Sequence, residues 1–300
     1  MRLQPGALIE APSIERLAEL IETRTHTVRW SSLAPLAASG SRPPLFLFHA
    51  NGGEVFFYRD LARHLAPDQP VFGVQYPLSE SWAAAPPTLE ELAATYLTEI
   101  RSLQPHGPYL LGGFCLGAYL AFECACQLES EGEKVGLLAV INTDGVWRLT
   151  GSLRSSLRFH LRRLGPFTPL NIFRYARERL RFRKDRTQDL GASYIGRLMH
   201  AFGLSVPPAL LHRHARALLL EASRRWQPRK YHGELVFFKG RDEPGQDPYA
   251  FWSQIVEGPI HCIETPGRGS AILQEPAVSA LGAHLRECLR SRTANAAIQP

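Results

Sequence analysis

A chain of 300 residues with 45% hydrophobic and 21% charged residues has room for one large or two small globular domains, and its 15 Phe, 9 Tyr and 5 Trp exclude disorder as the main state. No apolar run reaches transmembrane length, and the first 25 residues lack a signal peptide's basic start and apolar stretch. Five scattered cysteines with no CxxC pair argue against a disulfide framework or a structural metal site, and for a reducing, cytoplasmic setting. The net charge of +6 is local: Arg148 to Arg186 holds 12 Lys/Arg against 2 Asp/Glu. Such a segment should face an acidic protein or a phosphate. Its few aromatics and the lack of a binding motif disfavour nucleic acid, and a solvated helical face is the alternative.

In chain order, Ile14, Leu17, Leu20 and Ile21 share one helical face behind a candidate cap, Ser13. Residues 24–43 read as linker, ending in Ser-Gly-Ser-Arg-Pro. From Pro44 a strand–helix alternation begins. Leu45–His49 is a strand that stops at Asn51-Gly52-Gly53; 55–65 is helical, Val71–Tyr76 a strand and Leu89–Leu103 a helix. Tyr109–Leu111 is a strand running into Gly112-Gly113, followed by a helix to about Gly132 and a buried strand at Val135–Ile141. Further strands fall at Leu235–Phe238 and His261–Glu264, and the last helix at Pro276–Leu289. This alternation predicts an α/β fold with a mostly parallel sheet covered on both faces. About 90 residues of helical character separate the strands at 135–141 and 235–238, too many for a crossover, so the span of about 146–228 reads as an inserted helical lid.

The strongest chemical signal is Gly113-Phe114-Cys115-Leu116-Gly117, which follows a strand and opens a helix. In a G-x-S-x-G elbow the glycines let strand and helix approach closely while a strained turn projects the nucleophile. Here that position is Cys115, and a helix N-terminus favours its thiolate. The segment Phe46-Leu47-Phe48-His49-Ala50-Asn51-Gly52-Gly53 puts a Gly-rich turn after an early strand, where one oxyanion amide belongs. The backbone N–H groups of Asn51 and Leu116 are the candidate oxyanion hole. His49 reads as a brace for this loop rather than a catalytic base.

These segments, with the strand LLAVINTDG and the terminal PGRGSAILQEP, resemble the thioesterase domains that end nonribosomal peptide and polyketide assembly lines, within the α/β-hydrolase fold. The resemblance covers roughly residues 32–290. It implies a thioesterase-like domain at 44–290 and a flexible tail at 291–300. Residues 1–23 resemble the C-terminal helix of a carrier-protein domain, which normally sits directly before such a thioesterase. The implied partner is an acyl or peptidyl carrier protein, within a larger assembly-line protein. The substrate would ride on the carrier's 4'-phosphopantetheine, with no permanently bound cofactor, no metal, no nucleic acid and no membrane.

The chain departs from the family at three positions. Cys115 replaces the usual serine. The triad acid expected 27 residues on falls at Asn142, with Asp144 two residues beyond, and Asp242 is the alternative acid position. The closing Pro-Gly-Asp-His is Pro266-Gly267-Arg268-Gly269 here, so Gly269 stands where the general base should be. His261 and His232 lie at the wrong ends of their strands, which leaves His160, His200, His212 and His214 of the lid as possible substitutes.

A thiol depends less on a base than a hydroxyl does, because thiolate is present near neutrality and intrinsically nucleophilic. Attack on a pantetheine thioester exchanges one thioester for another. Hydrolysis instead needs an activated water, for which a general base is worth about 10²–10⁴-fold. The three departures therefore favour passing the acyl group to a thiol or amine, or closing a ring, over efficient hydrolysis. The competing readings are an ordinary hydrolytic thioesterase with a relocated histidine, and a degenerate domain that only docks a carrier. Arg162, Arg163, Arg177 and Arg181 of the basic segment are candidates for holding an acidic carrier or its phosphate.

Overall fold

Seven short strands organise the chain: β1 (Leu33–Ala37), β2 (Leu45–Phe48), β3 (Val71–Val74), β4 (Tyr109–Phe114), β5 (Val135–Ile141), β6 (Leu235–Gly240) and β7 (Ile260–Thr265). They form one sheet in the order β1-β3-β2-β4-β5-β6-β7, parallel throughout except for β1, which runs antiparallel to β3. The computed structural model describes residues 32–76, 87–143, 169–241, 247 and 249–296, with Glu15 and Ala18 as isolated helical, exposed positions of the N-terminal segment. The α/β class and the mostly parallel sheet agree with the sequence pattern.

Continuous apolar runs in β2, β4 and β5 follow from burial on both sheet faces. Side chains alternate between the faces. Phe46 and Phe48 pack in one core with Leu111, Leu138 and Val140, whereas Leu45 and Leu47 pack in the other with Leu110, Leu137 and Ile141. The first core lies under α2 (Leu89–Leu103) and α3 (Leu116–Ser130), and the second under α1 (Arg59–Leu65) and α7 (Ala277–Ala296). α2 begins with a capping box: Glu91 N–H donates to Thr88 Oγ1 at 3.1 Å and Thr88 N–H to the Glu91 carboxylate at 2.9 Å.

Two boundaries differ from the sequence reading. The span 24–43, read as linker, contains β1, an edge strand that tolerates Pro35 because an edge has spare backbone groups. α7 continues to Ala296, past the start of the expected tail at 291.

The described part of the span expected to form a lid is a helical pair, α4 (Pro169–Ala201) and α5 (Pro208–Arg225). Asp189 of α4, only 8% exposed, lies 3.5 Å from Arg213 and 3.4 Å from Arg216 of α5. Leu190, Tyr194 and Leu198 recur every four residues along α4 and are exposed, as is Phe202 just past its end. The return from the lid is tied to the helix that follows the elbow. Glu123 of α3 is fully buried and accepts from Trp226 Nε1 at 2.9 Å, Gln127 Nε2 at 3.0 Å and the Arg229 guanidinium at 3.1 Å. A buried carboxylate is tolerable only when paired and hydrogen-bonded in this way.

Candidate active site

The C-terminal ends of β2, β4 and β5 converge where the sequence places its motifs. Cys115 follows β4 directly and caps α3, with φ 57° and ψ −122°. That left-handed conformation is uncommon for a residue with a Cβ and marks the strained turn of an elbow. Its glycines are dictated by space. A Cβ on Gly113 would sit 2.1 Å from the Gly117 backbone, and one on Gly117 would sit 2.2 Å from the Phe48 carbonyl oxygen.

Two side chains missed by the sequence reading hold this turn. Thr143, just beyond β5, accepts the Cys115 N–H on its hydroxyl at 2.7 Å and donates that hydroxyl to the Ile141 carbonyl at 2.9 Å. Its own carbonyl accepts from Trp252 Nε1 at 2.7 Å, so a fully buried tryptophan of α6 (Tyr249–Trp252) fixes the residue that fixes the elbow. Tyr58, in the 3-10 turn before α1, accepts the Phe114 N–H at 2.7 Å and donates to the Phe48 carbonyl at 2.9 Å. The sequence carried only a polar atom at the end of an apolar run as a hint of either role.

The backbone N–H groups of Leu116 and Asn51 both lie where they favour negative charge on the Cys115 sulfur. Those are the two amides nominated from sequence, and they would face an oxyanion formed beside that sulfur. The thiol itself differs from expectation. Burial pushes it above its ordinary value, and the two amides only partly oppose that shift. Desolvation of the thiolate outweighs the helix N-terminus. Thiolate is the reactive form, so its fraction grows as pH rises toward the elevated pKa. Alkylation of Cys115 by iodoacetamide should therefore climb close to tenfold per pH unit through the ordinary thiol range; a plateau below pH 8 would show an activated thiolate instead.

His49 is fully buried, with Nδ1 2.7 Å from the Ala50 carbonyl oxygen and Nε2 2.7 Å from the Tyr96 hydroxyl. Burial lowers its pKa to about 4, so it stays neutral and braces the loop, as its sequence context suggested. Asn142, at φ 48°, accepts the Gly240 N–H on Oδ1 at 2.9 Å and donates Nδ2 to the Gly269 carbonyl at 3.2 Å. The expected acid and base positions are thus adjacent in space, yet one is an amide and the other has no side chain. Both ends of the Asn142 amide are used in joining β6 and the loop after β7 to the end of β5.

Among the lid histidines, His200 and His212 are exposed, and His214 is buried against Gly196 between the two lid helices. His261 pairs with Glu234 at 3.2 Å, and His232 with Glu129 at 3.0 Å, the latter raising the His232 pKa. Arg177 is exposed on α4, which also carries Arg181. Asp144, Asp242, His160, Arg162 and Arg163 lie outside the described residues. No described helix is long and apolar enough to cross a membrane, and among the described residues no cluster of three or more His, Cys, Asp or Glu could hold a metal.

Residues 43–148 match the family model described as the thioesterase domain. Over those residues the chain is similar to thioesterase domains. It is 37% identical over 142 residues to a dimodular nonribosomal peptide synthase of Bacillus subtilis (strain 168), a match that covers 47% of this chain and 6% of that protein. It is 31% identical over 145 residues to enterobactin synthase component F of Escherichia coli (strain K12), covering 47% of this chain and 11% of that protein. The matched region is therefore a small part of much longer synthetases. In fold, the chain resembles a four-domain nonribosomal peptide synthetase, holo-AB3403 bound to AMP and glycine, with a TM-score of 0.63 and 24% identity over 96% of this chain and 22% of that one. It also resembles the NocB thioesterase domain in covalent complex with a fluorophosphonate nocardicin G analog, with a TM-score of 0.58 and 19% identity over 86% of this chain and 99% of that one. The α/β-hydrolase architecture follows from these likenesses and from the seven-stranded sheet.

Proposed function

We propose that this thioesterase domain takes an acyl or peptidyl group from the 4'-phosphopantetheine of a carrier protein onto Cys115 and passes it on by transfer or ring closure, with hydrolysis slow. The observation that carries this reading is a cysteine on a braced elbow, with two amides converging on its sulfur and glycine at the base position. In the first step the Cys115 sulfur bonds to the thioester carbonyl carbon and the carbon–sulfur bond to pantetheine breaks. The thiol proton, lost to solvent on ionisation, is matched by one taken up by the departing pantetheine thiolate. The Asn51 and Leu116 amides stabilise the oxyanion between these events. An incoming thiol or amine then bonds to the acyl carbon, the bond from that carbon to the Cys115 sulfur breaks, and the proton the nucleophile loses is matched by one regained by the Cys115 thiolate, whereas water lacks a base worth about 10²–10⁴-fold. His214, His261 and His232 are each packed or paired elsewhere, which counts against those three as a relocated base.

Intact-protein mass spectrometry after mixing with an acyl-pantetheine tests the reading. A persistent acyl adduct on the native chain and none on Cys115→Ala is the expected result. Rapid turnover to free acid would restore the hydrolytic alternative, and no adduct with no turnover would leave a docking domain.

The relatives are multidomain synthetases, which supports a carrier as the donor. Arg177, Arg183, Lys184 and Arg186 are exposed on α4 and give an acidic carrier a complementary face. Replacing Arg177 and Arg181 together by Gln should weaken carrier binding by about 3–10-fold at low salt, with the difference shrinking as salt screens exposed charges. Titrations at two ionic strengths check this, and a salt-independent binding constant would remove the electrostatic role.

A further inference from the structure

β2 and β4 run parallel with Phe48 opposite Gly113, and beyond that pair they part. β2 leads through His49 and Ala50 to the Asn51 amide, and β4 leads through Cys115 to the Leu116 amide. At the last rung before they part, the Tyr58 hydroxyl takes the Phe114 N–H and gives its own proton to the Phe48 carbonyl. One side-chain oxygen thus touches both strand ends, two residues before Leu116 on one side and three before Asn51 on the other.

We propose that Tyr58 is a positioning residue that sets the spacing between the Asn51 and Leu116 amides, and so the oxyanion hole. Tyr58 is fully buried, and burial keeps its phenol far above its ordinary pKa, so the hydroxyl stays a donor throughout the working pH range. The Phe57 ring lies tilted against it with ring centroids 4.2 Å apart and also meets Phe114 edge-on at 6.2 Å, which restricts movement of the hydroxyl. The inference rests on the reading of Cys115 as acyl acceptor.

Two reactions of one sulfur separate this role from general support of the fold. Acylation by acetyl-pantetheine builds up an oxyanion, whereas alkylation by iodoacetamide displaces iodide and builds up none. In the full chain, Tyr58→Phe should slow acylation by about 10–100-fold, somewhat less than losing an oxyanion donor outright. Alkylation should stay within about twofold. If Tyr58→Phe does not fold, 4-aminophenylalanine at position 58 carries the test, since it still donates to Phe48 but accepts poorly from Phe114. The same split, smaller, is then expected. Equal loss in both reactions, or no loss in acylation, overturns the inference. A native chain that never acylates overturns the Cys115 reading first and this inference with it, so the two failures are distinct.

Discussion

Cys115→Ser should be nearly as inactive toward acyl-pantetheine as Cys115→Ala, at least about 10³-fold below the native chain, because a serine hydroxyl stays protonated without a base. Where a histidine serves the elbow, a serine is a competent nucleophile. Here position 269 is glycine, and His49 is consumed by Ala50 and Tyr96. The thiol, even with its pKa raised by burial, gives up its proton far more readily than a serine hydroxyl, and the Leu116 and Asn51 amides are placed to receive charge at its side. The rate of adduct formation, followed by intact mass, measures the difference. A serine variant acylating within tenfold of the native rate would mean that some general base does reach position 115, and base-free transfer would have to be abandoned.

Gly113→Ala should cost the fold at least about 3 kcal/mol, at the severe end of what single substitutions do. The added methyl would lie 2.1 Å from backbone atoms of Gly117 and 2.6 Å from Ala118 N, and backbone within a helix cannot rotate away as a flexible side chain could. α3 would have to lift from β4. That shift would carry Cys115 away from Thr143 and would strain the fully buried Glu123 cluster two turns further on. Thermal unfolding of Gly113→Ala beside Gly132→Ala is the measurement. Gly132 has nothing within 4 Å of its would-be Cβ, although its φ of 78° costs the substitution some backbone strain. A Gly113 variant that melts no lower than the Gly132 variant would refute the close-approach argument.

Elements whose identity follows from a local pattern were legible in the sequence. The helix at Leu89–Leu103 and the strand at Val135–Ile141 have the bounds that periodicity predicts. The Gly-x-Cys-x-Gly elbow was legible because steric need selects its residue types. β1 was not, because an edge strand is short, half exposed and interrupted here by Pro35, so its composition is that of a linker. Thr143 and Tyr58 were not, because their hydroxyls act across 28 and 56 residues of chain, and no spacing rule encodes a tertiary hydrogen bond. The thiol's shift went the other way from expectation for a related reason. The dipole at a helix start can be read from sequence, whereas desolvation depends on which distant segments close over the sulfur.

The tie between Asn142 and Gly269 also shapes what mutation can reach from here. Changing Asn142 to Asp would set a carboxylate oxygen against the Gly269 carbonyl, where an N–H now donates. Changing Gly269 to His would place a side chain at φ 55°, at a cost of about 1 kcal/mol, beside an amide already committed to Gly240. Each step toward an Asp–His pair is uphill while the other residue is unchanged. In sequence space the acyl-cysteine site and a conventional triad are separated by a valley that only a double change crosses, so single substitutions selected for faster hydrolysis should arise elsewhere in the site.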